Sequence, residues 1–346
     1  MKIITIASIS LAILVIAITI LVSLTGPREY SPAEDPPLYK EKEEAPPPSF
    51  EELMPHGARA DSDVIVRVLL GGEIVEMSME LYLIGVVSAE MPASFEPDAL
   101  KAQAIAARTD VLHKMYVSPK AQHPDAHTCG YFTCCVAFNS DARLREKWGG
   151  NYVYNITRII NAVTETDGVF MSYGGAPILA VFHASSAGRT ETSGNVWVAD
   201  RPYLQSVYSP ETEYLVPGFI STVTVSQSDF IETVRANLPN ARLDDDASLW
   251  ITDIAHTESG RVSTLKLGGV TIRGTELRAM FSLRSTAVTI DIIDGDIIFT
   301  TAGNGHGVGM SQHGANIMAR NGMSYREILR AYYTGIEFVA PEQEIA

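Results

Sequence analysis

Residues 64–108 read VIVRVLLGGEIVEMSMELYLIGVVSAEMPASFEPDALKAQAIAAR, and the fold turns on where the apolar period changes inside them. Val64 to Leu70 and Glu73 to Met77 flank Gly71-Gly72. That pattern predicts a hairpin, because glycines accept the positive-φ positions of a tight turn. From Met79 the spacing switches: Leu81, Ile84, Val87 and Met91 recur every three or four residues, which is helical, and Pro92 stops the run. Ser94 to Pro97 opens a second helix, with Pro97 suited to the first turn and Asp98 favourable against the helix dipole. Ala99 to Arg108 is a strong helix former whose alanine-rich surface lets a neighbour approach closely.

Outward from this stretch, residues 119–150 form a polar, cysteine-bearing insert, followed by a short helix near Ile156 to Thr164. Strand-like runs are read at Val169–Ser172, Ile178–His183, Ser221–Val225, Val262–Leu267, Val270–Ile272 and Val288–Thr300. Helices are expected near Asp229–Ala236 and Gly274–Phe281, and one last helical stretch from Gln312 to Tyr333. Without a regular βαβ alternation, this predicts an α+β class of mixed helices and antiparallel strands around a cleft.

Upstream, Ile3 to Leu24 holds 22 residues without a charge. At about 1.5 Å per residue they cross a hydrocarbon layer roughly 30 Å thick. Residues 1–25 are therefore expected to be a transmembrane anchor. A cleavable signal peptide is the competing reading, but Val22-Ser23-Leu24 fits a small-x-small cleavage site poorly. Lys2, alone before the span, favours a cytoplasmic N-terminus with the remainder outside. Residues 26–58 read as a semi-rigid tether: eight prolines lie between Gly26 and Pro55, around a mixed-charge run from Lys40 to Glu44. The folded domain is expected over 59–346.

The chain has 346 residues and is 46% hydrophobic, enough for a sizeable core. Lys+Arg 26 against Asp+Glu 41 leaves a formal charge of -15, which repels polyanions and argues against nucleic acid as a partner.

All three cysteines fall within seven residues: Cys129, Cys134 and Cys135. Three thiols cannot all pair, and adjacent cysteines close only a strained ring. With His123 they make a soft, closed tetrahedral set suited to a structural zinc ion. His127 competes as the imidazole, and one bridge beside a free thiol is the alternative. Glu90 closes the Met79–Met91 helix among apolar neighbours. The negative end of the helix dipole and apolar desolvation both oppose its ionisation, which describes a general acid. Its plainer reading is a solvated cap. Gly303 to Gly309 fits neither G-x-G-x-x-G nor a P-loop, which excludes nucleotide binding on that loop.

Tyr82 to Pro92, Ala99 to Thr109, Gly305 to Gln312 and Tyr325 to Gly335 together resemble the stage II sporulation protein D family of lytic transglycosylases, over about residues 60–340 plus the anchor. The resemblance implies cleavage of the MurNAc–GlcNAc bond of peptidoglycan to leave 1,6-anhydro-MurNAc ends, on denuded glycan strands during engulfment in sporulation. It implies Glu90 as the acid and base. One carboxyl group suffices, since it protonates the leaving oxygen and then accepts the proton of the attacking C6 hydroxyl. Arg108, Tyr203, Tyr332 and Tyr333 follow as substrate-binding residues, with a salt bridge for Arg108 and core packing for the tyrosines as alternatives. His306 and Gln312 join them from the glycine-rich stretch, where a simple turn is the alternative for His306.

The family's zinc site, usually two His and two Cys, matches in spacing with Cys134 at one histidine place. Gln205 stands where a Lys is common. The resemblance also implies stage II sporulation proteins P and M as partners and the mother cell's engulfing membrane as the location. A noncatalytic amidase enhancer is the alternative function. A zinc amidase or peptidase ranks lower, because it needs an open metal position and an H-E-x-x-H helix is missing.

Overall fold

A computed structural model describes residues 46–341 apart from positions 56, 132, 198 and 245. The expected anchor and nearly all of the tether before residue 46 lie outside the described residues. Among the described residues no helix is long and apolar enough to cross a membrane.

The hairpin forms as expected: β1 (Ile65–Leu70) pairs antiparallel with β2 (Glu73–Ser78), and Gly71 and Gly72 take φ of 60° and 95°. Ser78 caps α1 (Met79–Glu90) by accepting the Leu81 amide at 3.3 Å. Then α2 (Pro97–Tyr116) runs through the centre of the larger core, with Ala99, Ala102, Ala104, Ala106 and Ala107 all buried. These small side chains let α1, α4 (Tyr152–Thr164), α7 (Gln312–Arg320) and α8 (Tyr325–Tyr332) pack around it.

Three local expectations are corrected. The insert holds a third strand, β3 (Thr128–Cys129), parallel to β1, and an unanticipated helix, α3 (Asp141–Trp148), capped by Ser140. The last helical stretch is two helices, because Gly322 takes φ of 87° and Ser324 starts a new capping box with Glu327. The run Val288–Thr300 is a hairpin of strands 288–293 and 296–302, turned at Asp294 and Gly295, both with positive φ.

A second core lies between residues 220 and 302. It joins two three-stranded antiparallel sheets, one of strands 220–225, 296–302 and 288–293, the other of 251–256, 262–267 and 270–273. Strand 251–256 has no counterpart in the sequence reading. Helices α5 (Gln227–Asn237) and α6 (Gly274–Met280) cover this core. Phe230 sits at its centre, stacked on Trp250 at 5.5 Å and Phe281 at 5.1 Å. The class is α+β with predominantly antiparallel pairing, as expected.

Buried Glu191 ties the segment before this core to it. Its Oε1 accepts from the Thr192 amide (2.8 Å) and Asn195 Nδ2 (2.7 Å), and its Oε2 from the Thr257 and Ser259 hydroxyls at 2.6 Å each.

Candidate active site

Pro92 excludes Met91 from helical geometry, and Met91 turns to φ −122°, ψ 143° as the C-cap of α1. Glu90 is thereby the last helical residue, half-buried, at the negative end of the helix. Its Oε1 accepts the Ala137 amide at 2.8 Å and its Oε2 accepts Gln312 Nε2 at 3.1 Å. Burial pushes the Glu90 pKa up. The Ala137 and Gln312 hydrogen bonds pull against it and the Asp110 charge adds to it, so the net shift is upward. Desolvation is the leading cause.

Glu90 lines a cleft of about 360 Å³ with Met91, Pro92, Lys147, Trp148 and Asn155. It is the one carboxyl group among the described residues of that lining. Trp148 supplies an aromatic face, with the Lys147 ammonium 5.7 Å from its ring centroid. The sequence reading missed Lys147 and Trp148 because it left 119–150 irregular. The signal was present: Ser140-Asp141 is a helix start, and Leu144 and Trp148 share a face.

Gln312 does reach this site, although its buried amide touches the acid itself. It donates to Glu90 and lies 3.5 Å from Gln103 Oε1. At Arg108 and the tyrosines the structure favours the alternative readings, a salt bridge and core packing. Arg108 spends its guanidinium on Asp61, with Nε at 2.9 Å and Nη2 at 2.6 Å, and on the Val169 carbonyl at 2.9 Å. Its fork is fully engaged in a pair with both side chains buried.

Tyr203 is buried with its hydroxyl accepting the Leu179 amide at 3.1 Å. Tyr332 and Tyr333 are fully enclosed, their hydroxyls paired with Ser209 Oγ (2.7 Å) and the Val181 carbonyl (2.8 Å). None of these rings leaves a face for a sugar. His306 accepts the Val308 amide at 3.1 Å and packs 5.1 Å from Trp197. Burial, with the Arg278 charge nearby, pushes its pKa down to about 4, so it is neutral. It does not line the Glu90 cleft. Gln205, at the departure from the family pattern, bonds the Arg201 carbonyl at 2.9 Å.

The insert gathers His123, Cys129, Cys134 and Cys135, whose donor atoms all lie within 4.8 Å of one another. Cys134 and Cys135 sulfurs are 3.9 Å apart and His123 Nε2 is 3.3 Å from Cys135 Sγ. A tetrahedral zinc with bonds of roughly 2.3 Å to sulfur sets ligand edges of about 3.8 Å, which this spacing approaches. His123 Nδ1 lies 3.1 Å from the Ala126 carbonyl, an acceptor that fixes the tautomer and leaves Nε2 turned to the Cys135 sulfur. The competing imidazole is engaged elsewhere, since His127 Nδ1 accepts the Arg67 amide at 3.1 Å.

The cysteines are free. Burial pushes the Cys129 thiol up to about 12. Cys135, also opposed by burial, comes down to about 6 through the Lys114 ammonium and the Thr128 hydroxyl. The four donors thus fit a metal ion that supplies the positive charge their thiolates require.

A family model described as stage II sporulation protein matches residues 71–173. Stage II sporulation protein D of Bacillus amyloliquefaciens is 36% identical over 264 residues, covering 76% of this chain and 75% of that protein. The protein of the same name from Bacillus subtilis (strain 168) is 34% identical with the same coverage. The amidase enhancer of Bacillus subtilis (strain 168) is 29% identical over 300 residues, 72% of this chain but 39% of that protein. With Glu90, its Pro-terminated helix and the metal-donor cluster inside the family-model match, and relatives 36% and 34% identical over about three quarters of both chains, the chain belongs to the stage II sporulation protein D family.

Proposed function

We propose that this protein acts on the cell wall during sporulation as a peptidoglycan lytic transglycosylase, with Glu90 as its single acid and base. The observation that carries the reading is a half-buried carboxyl of raised pKa, alone among the described acids of an open cleft beside an aromatic face. Hydrolases that invert or retain canonically need a second enzyme carboxyl group, as base or nucleophile, flanking the scissile bond. A reaction in which the sugar attacks itself needs one.

Protonated Glu90 gives its proton to the oxygen leaving from C1 of the muramyl residue as that bond breaks. The C6 hydroxyl of the same sugar then bonds to C1 and returns its proton to the Glu90 carboxylate. Water is neither consumed nor released, and Glu90 ends as it began. Trp148 offers a stacking platform and Asn155 an amide for hydroxyl or acetamido groups. His123, Cys129, Cys134 and Cys135 would hold zinc as a closed structural site, keeping the insert folded. The uncharged run from Ile3 to Leu24 supports a single-pass anchor with this domain outside the cell membrane, on the engulfing mother-cell side. An amidase that strips stem peptides, stage II sporulation protein P, and the membrane protein stage II sporulation protein M are the proposed partners.

The likeness to an amidase enhancer supports a second reading, a noncatalytic peptidoglycan-binding protein. Mass spectrometry of products from denuded strands separates them: wild-type protein releases anhydro-muropeptides and Glu90→Gln does not. No release by wild type would remove the enzyme reading, and equal release by both would remove Glu90 from it.

A further inference from the structure

Ala137, the main-chain donor to Glu90, is two residues beyond Cys135, so at most ~7 Å of chain separates the metal cluster from the acid's partner. Residues 136–140 belong to no helix or strand. On the metal side the segment is tied by the donor cluster and by the Cys134 and Cys135 amides, which bond the Tyr131 carbonyl at 3.0 and 2.8 Å. On the other side it grips α1. Asn139 donates its amide to the Gly85 carbonyl (3.1 Å) and Nδ2 to the Ser88 carbonyl (3.3 Å). Phe138 lies over Gly85 so closely that a Cβ there would meet its ring at 2.2 Å, and it stacks on Tyr82 with centroids 6.5 Å apart. The helix that ends in Glu90 and the loop that donates to Glu90 are thus clamped together, and the loop's far end is the ligand cluster.

We infer that the metal-ligating insert is the positioning device of the active site: ligand closure at Cys134 and Cys135 holds Ala137 so that its amide fixes the Glu90 carboxyl in one orientation. Ala137 is a positioning residue. The inference rests on Glu90 being the acid, as proposed above, but concerns how that side chain is held. The consequence is specific. Losing the metal frees the 136–139 segment, removes a hydrogen bond that favours the Glu90 carboxylate, and drives its titration further upward without removing any group from the cleft.

The test uses the full-length protein loaded with zinc, the same protein after chelation, and Ala137→Pro, which removes the one donor and leaves every ligand in place. Amide exchange at 136–139 and NMR titration of the ¹³C-labelled Glu90 carboxyl, assigned by its loss in Glu90→Gln, are read in each. Chelation is expected to speed exchange at Ala137 at least about tenfold while the α2 amides stay protected, and to move the Glu90 titration upward. Re-adding zinc restores both. Ala137→Pro moves the titration the same way with zinc content unchanged.

Any of three results overturns the inference: protein that holds no zinc yet keeps Ala137 protected, exchange and titration that ignore chelation, or a Glu90 titration that ignores Ala137→Pro. None of these readouts requires turnover. Coupling present without anhydro products would sink the proposed function and leave this inference standing; products without coupling would do the reverse.

Discussion

Half-buried Glu90 and buried Glu191 are the same chemical group, and their pKa values move in opposite directions. Burial opposes ionisation at both. Glu90 receives two hydrogen bonds, from the Ala137 amide and the Gln312 side chain, and its net shift is upward. Glu191 receives four, from the Thr192 amide, Asn195, Thr257 and Ser259, and burial is outweighed. The number of donors aimed at the oxygens decides which form the fold prefers. One arrangement keeps a proton available beside an open cleft. The other uses a permanent anion to fasten the chain before residue 200 to the loop at 257–259.

Exchanging the two roles is the strongest way to break that contrast. Glu90→Gln is expected to lower turnover on denuded glycan by about 10²–10⁴-fold, the usual worth of a general acid, while unfolding in denaturant shows the fold intact. Glu191→Leu is expected to do the opposite kind of damage. It leaves four donors without their acceptor and should cost about 3–5 kcal/mol in denaturant unfolding. A Glu191→Leu protein of wild-type stability would show that the knot is held by something else.

The pH dependence of stability sharpens the contrast further. Glu191 has a depressed pKa in the folded state, so its stabilising contribution is present above the ordinary carboxylate value near about 4.3 and is lost as pH falls through the folded value. Glu90 has a raised one, so its contribution is complete below about 4.3 and is lost as pH rises through its folded value. Glu90→Gln should therefore flatten the decline in melting temperature on the neutral side, whereas a Glu191 variant should flatten it on the acid side. A Glu90→Gln profile that parallels wild type across the neutral range would contradict the upward shift.

How much of this was legible in the sequence follows from the range of the interactions. The hairpin, α1 and α2 depend on neighbours a few residues apart, and Gly71-Gly72, the apolar spacing and Pro92 state them locally. So did Glu90's place at a helix end. For Arg108 the sequence left sugar contact and a salt bridge both open, because its partner, Asp61, is 47 residues away and nothing near either residue announces the pairing. For Tyr332 and Tyr333 the resemblance implied sugar contact and core packing stayed the alternative, because sequence shows an amphipathic ring and not the Ser209 or Val181 oxygen that occupies its hydroxyl. The metal donors were legible from crowding alone, since His123 to Cys135 is one short segment. Glu90's donors were not, as Ala137 and Gln312 lie 47 and 222 residues away.

A smaller effect is expected at the wall of the cleft. Trp148→Ala should raise KM for glycan strands by roughly tenfold, about 1.4 kcal/mol, with little change in kcat, because stacking holds substrate and transition state alike. A fall in kcat with KM unchanged would instead place Trp148 at the reacting sugar.

The smallest predicted effect tests the donor count itself. Gln312→Leu removes one of the two hydrogen bonds that favour the Glu90 carboxylate and keeps the buried volume nearly constant. The Glu90 titration should move further up, carrying the alkaline limb of the pH–rate profile with it, while kcat in the fully protonated range changes little. Thr257→Val does the equivalent to Glu191, removing one donor of four, and should shift that carboxyl upward by less, because three donors remain. If Thr257→Val moved its carboxyl more than Gln312→Leu moves Glu90, hydrogen-bond number would not be the quantity that separates the two sites, and the local charges would have to be: Asp110 near Glu90 and the Arg261 guanidinium near Glu191.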